Sequence, residues 1–306
     1  MNGSLAPMEA APLATGAGPR RRAWELLLAL PLAVVFAAFL LYPILTILLT
    51  SLKPGSGVLH SGGGGSSSHT IFSNYLELFR DPIYCEAMLH SLVLSASVAL
   101  GATLLCLGPA WLFARYEFPG KRLMRAGFAL PMSLSGILVG FLAVIMLGRV
   151  GFIPQMSQGL TGKAWLSGAA YQLSGLVIAY LYFEIPRGVV TLESALSKFD
   201  PRLDAAARSL GASRWQRFLW IVLPLIAPAL VATFAVTFSV SLGSFGVALV
   251  LSKRFSVLPL ELFHQVVAIT NFPLASAMAV FLIALALALN FALGRWMRRH
   301  FSLRHA

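Results

Sequence analysis

The sequence predicts an all-α polytopic membrane protein with six transmembrane helices, and three observations carry that prediction. The first is composition. Of 306 residues, 58% are hydrophobic and 11% charged, with a mean hydropathy of +0.80. A soluble domain carries about 25% charged residues, so this chain lacks the polar residues needed to cover a water-facing surface. The second is the presence of six long runs without Asp, Glu, Lys or Arg: Leu26–Leu52, Ala87–Ala114, Ala126–Gly148, Ala164–Phe183, Phe218–Ser252 and Leu262–Gly294. About 20 apolar residues in a helix cross the hydrocarbon of a bilayer, and each run reaches that length. The third is charge bias. With both chain ends placed in the cytoplasm, the inner segments hold 17 of the 23 Lys and Arg, which is the positive-inside pattern and gives an N-in, C-in topology.

Taken in order, residues 1–22 form a cytoplasmic N-terminus whose Ala/Gly/Pro-rich Met1–Pro19 favours disorder. Residues 23–50 form the first transmembrane helix. Arg20, Arg21 and Arg22 precede an apolar run too long for a signal peptide and without a small-residue cleavage site, so the helix is expected to stay uncleaved. Residues 51–86 form the largest outer loop. It contains the tract Ser61–Ser68, with four consecutive glycines, which reads as a flexible spacer, followed by Asn74–Phe79 as a short helix lying on the bilayer. Residues 87–297 form the five-helix core. The last two charge-free runs exceed one membrane thickness and are expected to include re-entrant or interfacial segments. Gly136 and Gly140 make a small-xxx-small pattern that suits close helix approach, either within the chain or between chains. Residues 298–306 form a cytoplasmic tail.

The informative stretch is the cytoplasmic loop at about 200–224. Asp200 suits an N-cap, with Pro201 at the first helical position. The alanines that follow favour helix, and Gly211 can take the left-handed conformation that ends one. Ser213 and Gln216 have capping-box spacing for the next helix, which runs into Pro224. The first helix is too short and too charged to span a bilayer. Leu203, Ala207 and Leu210 fall on one face, flanked by Arg202, Arg208 and Arg214. Such a helix can lodge in a protein groove or lie on the anionic leaflet.

The stretch resembles the EAA loop of type I ABC importer permeases, whose pattern is Glu-Ala-Ala, three residues, Gly, nine residues, then Ile, any residue, Leu, Pro. Ala206, Ala207 and Gly211 match, and the spacing to Ile221, Leu223 and Pro224 is kept. Ala205 stands where the pattern has glutamate, with Asp204 just before it. The resemblance runs from about Leu89 to the last helix. It implies a non-catalytic subunit of the bacterial inner membrane, coupled to a cytoplasmic ABC ATPase dimer through Asp204, Ala206, Ala207, Leu210, Gly211, Ile221, Leu223 and Pro224. It also implies a second permease subunit, homologous or identical, and a periplasmic substrate-binding protein. The stretches Phe245–Leu251, Val257–Phe263 and Asn271–Ala277 resemble the branch that imports polyamines, ferric iron, thiamine or aminoethylphosphonate, with a lean toward phosphonates or polyamines.

A solute path shows as polar groups in otherwise apolar helices, since unpaired polar atoms are costly in lipid. The candidates are Ser133, Ser135, Tyr180, Ser239, Ser241, Ser244 and Asn290. Intramembrane serines commonly bond the preceding turn, but Ser239–Gly246 also carries glycines that loosen a helix beside a cavity. Glu184 reads as structural, paired with Arg187 three residues on. No cofactor or metal is expected. There is no phosphate-binding loop with its lysine and hydroxyl, the six histidines lack ligand spacing, and Cys85 and Cys106 lie 21 residues apart. The basic residues hug membrane ends, which argues against nucleic acid as a partner. The competing function is an ATP-independent secondary carrier, and a third reading is a non-transporting membrane scaffold.

Overall fold

Six helical runs long and apolar enough to cross a membrane organise the chain: Val34–Ser51, Pro82–Arg115, Gly136–Thr161, Leu173–Leu196, Trp215–Gly243 and Phe272–Arg299. They come from a computed structural model that describes residues 30–31, 34–53, 72–163, 167–197, 201–253 and 255–301. No strand occurs among the described residues. The N-terminal segment, the Gly/Ser tract, Asp200 and residues 302–306 lie outside them. The chain divides into two compact units, residues 1–49 and 50–306.

The first span, α1 (Val34–Ser51), widens into a π turn at Ala37–Leu41, where the Tyr42 N–H donates to the Ala37 carbonyl. Pro43 follows. The same device recurs at Phe218–Val222, where Leu223 N–H donates to Phe218 carbonyl just before Pro224. Proline has no N–H and its ring clashes with the carbonyl four residues back. A wide turn placed just upstream lets the helix continue through it.

In the second unit, α2 (Ser73–Arg80) is the short helix expected from Asn74–Phe79, but it packs on protein. Asn74 donates to the carbonyls of Ser51 and Lys53 at 2.8 and 2.7 Å. Leu78 is buried with Tyr84, Leu258, Leu274 and Met278. α3 (Pro82–Arg115) starts at an Asp81 cap and bends at Cys106. The charge-free run Ala126–Gly148 divides at Leu134–Ser135 into α4 (Lys121–Ser133) and α5 (Gly136–Leu147), followed by α6 (Phe152–Thr161). α7 (Leu173–Leu196) continues well past the charge-free run that foreshadowed it, because Glu184 and Arg187 neutralise each other inside the helix. Next come α8 (Pro201–Ser209), α9 (Arg214–Arg217) and α10 (Leu223–Gly243).

The two over-long runs break as expected. α10 stops at Ser244, and α11 (Gly246–Leu251) turns back against α5. α12 (Leu258–Val267) ends before Thr270, which is left-handed at φ 59, and α13 (Phe272–Phe301) starts afresh. The Asn271 side chain accepts from Leu274 N–H at 3.3 Å and so caps α13.

Two levels of core fix the helix directions. At one level Leu94 and Val98 of α3 meet Leu176, Ala179 and Tyr180 of α7, with Val139 of α5 and Val247 of α11. At the other, Cys106, Ala110 and Phe113 meet Val189, Leu192 and Leu196, with Val222 and Ile226. α3 and α7 therefore run parallel. α10 runs antiparallel to both, with Phe238 and Leu242 beside Ala99 of α3. These are the relative directions that the Lys and Arg distribution requires.

Glycine permits the closest approaches. A Cβ on Gly140 would lie 2.9 Å from Val250 Cβ, and one on Gly246 would lie 3.1 Å from Ile137 N. The Gly136/Gly140 pattern thus serves packing within the chain, with α11 seated on that face of α5. At Gly188 three helices converge, and a Cβ there would stand 3.0 Å from Cys106 Sγ and 3.3 Å from Thr233 Cγ2. A Gly188→Val variant is expected to lose roughly 1–3 kcal/mol by over-packing. Thermal unfolding of the detergent-solubilised protein reads this, and an unchanged midpoint would contradict the close packing.

Candidate functional site

The loop between α7 and α10 is built from local rules. α8 ends in a Schellman motif: Gly211 N–H donates to Arg208 carbonyl at 3.0 Å, and Ala212 N–H donates to Ala207 carbonyl at 3.1 Å. Gly211 sits at φ 81, a left-handed conformation that side chains with a Cβ resist. Two residues later the capping box closes reciprocally. Ser213 N–H donates to Gln216 Oε1 at 2.8 Å, and Gln216 N–H donates to Ser213 Oγ at 3.2 Å. The turn is thus clamped on both sides of Gly211 by hydrogen bonds within the loop itself.

The loop residues divide by role. Leu210 is 88% exposed and Ala206 is exposed beside it, whereas Ala207 is only 8% exposed and packs inward. Ala207 and Leu210 therefore do not share one free face: one anchors the loop and the other projects from it. The side chains of Leu203, Asp204 and Ala205 lie outside the described residues. Downstream, Ile221 packs against the inner core with Val222 and Ile226, while Leu223 and Pro224 are half-buried at the start of α10. Trp215 and Trp111 both set their rings edge-on to Phe218 at 6.4 Å. The loop is in this way tied through α9 and the π turn to the same cluster that holds the inner ends of α3 and α7.

Neighbouring inner turns are electrostatically tied as well. Lys121 donates to Glu117 at 2.6 Å and holds that carboxyl below the usual carboxylate range. Arg125 pairs with Glu193 across two helices. Such exposed pairs orient segments more than they stabilise them.

Of the polar residues expected along a path, two pairs come together. The Tyr180 hydroxyl donates to the Ser244 carbonyl, at the break between α10 and α11. Asn290 Nδ2 donates to Ser239 Oγ at 2.7 Å, joining α13 to α10. Others are satisfied locally. Ser133 donates to Leu130 carbonyl at 2.7 Å, and Ser135 caps α5 by accepting from Leu138 N–H at 3.3 Å. Ser241 is buried and its hydroxyl has no hydrogen-bond partner among the described residues.

The structure adds residues that the sequence reading passed over. Thr233 and Thr237 join Ser241 at i, i+4 and i+8 on the buried face of α10, and Ser95 and Thr103 are buried on α3. Ser95 and Thr103 likewise have hydroxyls without partners among the described residues. The four-residue spacing on α10 was visible in the sequence, but threonines in an apolar helix look like any β-branched filler until their burial is known. Glu184 is buried on α7. It lies four residues from both Tyr180, which reaches Ser244, and Gly188, which touches Cys106 and Thr233.

Residues 105–304 match the family described as binding-protein-dependent transport system inner membrane component. The molybdenum transport system permease protein ModB of Escherichia coli strain K12 is 35% identical over 169 residues, covering 55% of this chain and 72% of that protein. The sulfate transport system permease protein CysT of the same strain is 30% identical over 226 residues, covering 72% and 79%. A bacterial ABC transporter involved in the import of the acidic polysaccharide alginate shares the fold. Its TM-score is 0.74 at 19% identity, covering 92% of this chain and 97% of that one. A further crystal structure, of a bacterial alginate ABC transporter in complex with alginate pentasaccharide-bound periplasmic protein, matches with a TM-score of 0.75 at 19% identity, over 91% and 96%.

The two relatives ModB and CysT are named for molybdenum and sulfate, which points away from the polyamine or phosphonate lean of the sequence. The stretches that carried that lean hold Val247, Ala248, Leu251, Leu258, Leu274 and Ala277, all buried. The six spans, the helix order and the family match over residues 105–304 make this a multi-pass inner-membrane protein. It belongs to the binding-protein-dependent transport system inner membrane components, as a permease subunit of an ABC importer.

Proposed function

We propose that this chain forms one half of the path by which an ABC importer carries a small tetrahedral oxyanion, of the sulfate or molybdate class, into the cell. A separate cytoplasmic ATPase dimer drives it through the α8–Gly211–α9 loop. A second permease subunit completes the path, and a periplasmic binding protein delivers the solute. Residues 87–297 form the translocating unit. Asp204, Ala206, Leu210 and Gly211 form the part of the loop that meets the ATPase. Ala207, Ile221, Leu223 and Pro224 carry its displacement into α10.

The observation that carries the coupling role is the doubly clamped turn at Gly211. A loop that transmits force must keep its shape when pushed, and this one is held by a Schellman motif on one side and a capping box on the other. The solute class rests on the ModB and CysT relatives, whose names give molybdenum and sulfate. In oxygenated water both elements exist as tetrahedral dianions.

The test is uptake of radiolabelled sulfate and molybdate into proteoliposomes holding the permeases, the ATPase and the binding protein. Uptake is expected to require ATP and to survive dissipation of ion gradients. Uptake that followed an ion gradient without ATP would favour a secondary carrier. A Gly211→Val variant bears on the loop itself. Nothing in this chain lies within 4 Å of a Cβ at Gly211, so within the subunit the substitution acts through backbone strain, about 1–2 kcal/mol for a left-handed residue with a Cβ, and at the ATPase contact it adds a branched side chain. Normal membrane insertion with uptake reduced at least tenfold is expected. Full uptake by this variant would remove the loop from the mechanism.

A further inference from the structure

We propose that the Arg187 guanidinium is the contact that recognises the translocated oxyanion, held for that purpose by Glu184; this rests on the oxyanion reading above. Arg187 is the fifteenth of the 24 residues of α7. Its Nη1 donates to both carboxylate oxygens of Glu184, each at 2.9 Å. The Phe183 ring lies 5.5 Å from the guanidinium carbon. The pair and the ring together fix the plane of the group. Among the described residues, Nε and Nη2 have no hydrogen-bond partner.

The two ends of the pair differ in exposure. The Glu184 side chain is 1% exposed, whereas that of Arg187 is 27% exposed. The carboxylate is thus locked in the protein, while the Arg187 side chain stays partly accessible and keeps two donors without a partner among the described residues. A charged group this far along a span faces a bundle interior or a water-filled cavity, because hydrocarbon would cost at least about 2.5–3.5 kcal/mol. An edge of two parallel N–H groups matches two oxygens of a tetrahedral oxyanion.

Glu184 explains why such a contact would pass the anion on. A bare arginine inside the membrane would bind a dianion tightly, and transport needs binding weak enough to release. A carboxylate at 2.9 Å leaves the pair with no net charge while keeping the fork geometry. The anion then meets directional donors without a strong net field. A purely structural ion pair has no need of an unpartnered donor edge.

The decisive variants are Arg187→Lys, which keeps charge and pairing but loses the planar fork, and Glu184→Gln/Arg187→Gln, which removes both charges at similar volume. Both are assembled into the full importer, scored for insertion and monodispersity in detergent, and assayed for sulfate and molybdate uptake separately. The expected result is that Arg187→Lys inserts normally yet changes the ratio of sulfate to molybdate uptake at least fivefold, and that the double variant loses uptake of both at least twentyfold while remaining assembled. A structural role alone would lower both anions equally and leave their ratio unchanged. That outcome overturns the proposal, as does a double variant transporting within twofold of wild type. If the wild-type importer takes up neither anion, the oxyanion reading fails and takes this one with it. If wild type transports and the variants do so equally well, only the role of Arg187 falls.

Discussion

An Arg187→Met variant is expected to lose about 3–5 kcal/mol of stability, the cost of leaving one member of a buried ion pair without its partner. Glu184 is fully buried on α7 and receives both its hydrogen bonds from Arg187 among the described residues. Its neighbours four residues either way, Tyr180 and Gly188, are committed to other contacts. With Arg187 gone, a buried carboxylate would remain with no hydrogen-bond partner among the described residues. The double variant Glu184→Leu/Arg187→Met should recover most of the loss, because replacing a whole buried pair by apolar groups of similar volume is often neutral. Thermal unfolding in a fixed detergent measures both. Equal midpoints for the single and double variants would show that Glu184 does not depend on Arg187.

The second large effect needs only one methyl group. A Cβ on Gly175 would stand 2.1 Å from the Ala169 carbonyl oxygen and 2.6 Å from Ala170 Cα. Those atoms are backbone, in the 3₁₀ turn Ala169–Tyr171 that precedes α7, and Ala170 is fully buried in the core. No side chain can swing aside, so the turn itself must move off the start of α7. Gly175→Ala is expected to cost about 3 kcal/mol, toward the upper end for over-packing, and to lower the yield of folded protein. Gly159→Ala, at a glycine with open space around it, is the control and should be close to neutral. A Gly175→Ala protein as stable as this control would mean that the turn does not pack as described.

These two positions also mark where sequence reasoning reaches and where it stops. That Glu184 pairs with Arg187 was visible, because residues three apart share a helix face. That the pair sits inside the span was not, because a search for charge-free runs ends a helix at its first acid. Gly175 carried no signal at all. Its constraint comes from the approach of the preceding turn, which no local pattern encodes. The inner loop behaved in the opposite way. The Gly211 turn and the Ser213–Gln216 box are hydrogen-bonded over five residues or fewer, so their residue types sufficed to anticipate them.

By itself the sequence determined that the chain is a six-span helical membrane protein, which way its helices run, and how its cytoplasmic loop is capped. Each of these follows from hydropathy, charge bias or hydrogen bonds within a few residues. Only the tertiary structure decided that Gly136 and Gly140 serve α11 of the same chain, that Ala207 faces inward while Leu210 projects, and that Tyr180 reaches Ser244 and Asn290 reaches Ser239. Those outcomes depend on which helix lies beside which. In a membrane, where nearly every residue is apolar, hydrophobicity distinguishes lipid from water but not one buried face from another, so partner choice rests on shape and on a few polar atoms brought together from distant parts of the chain.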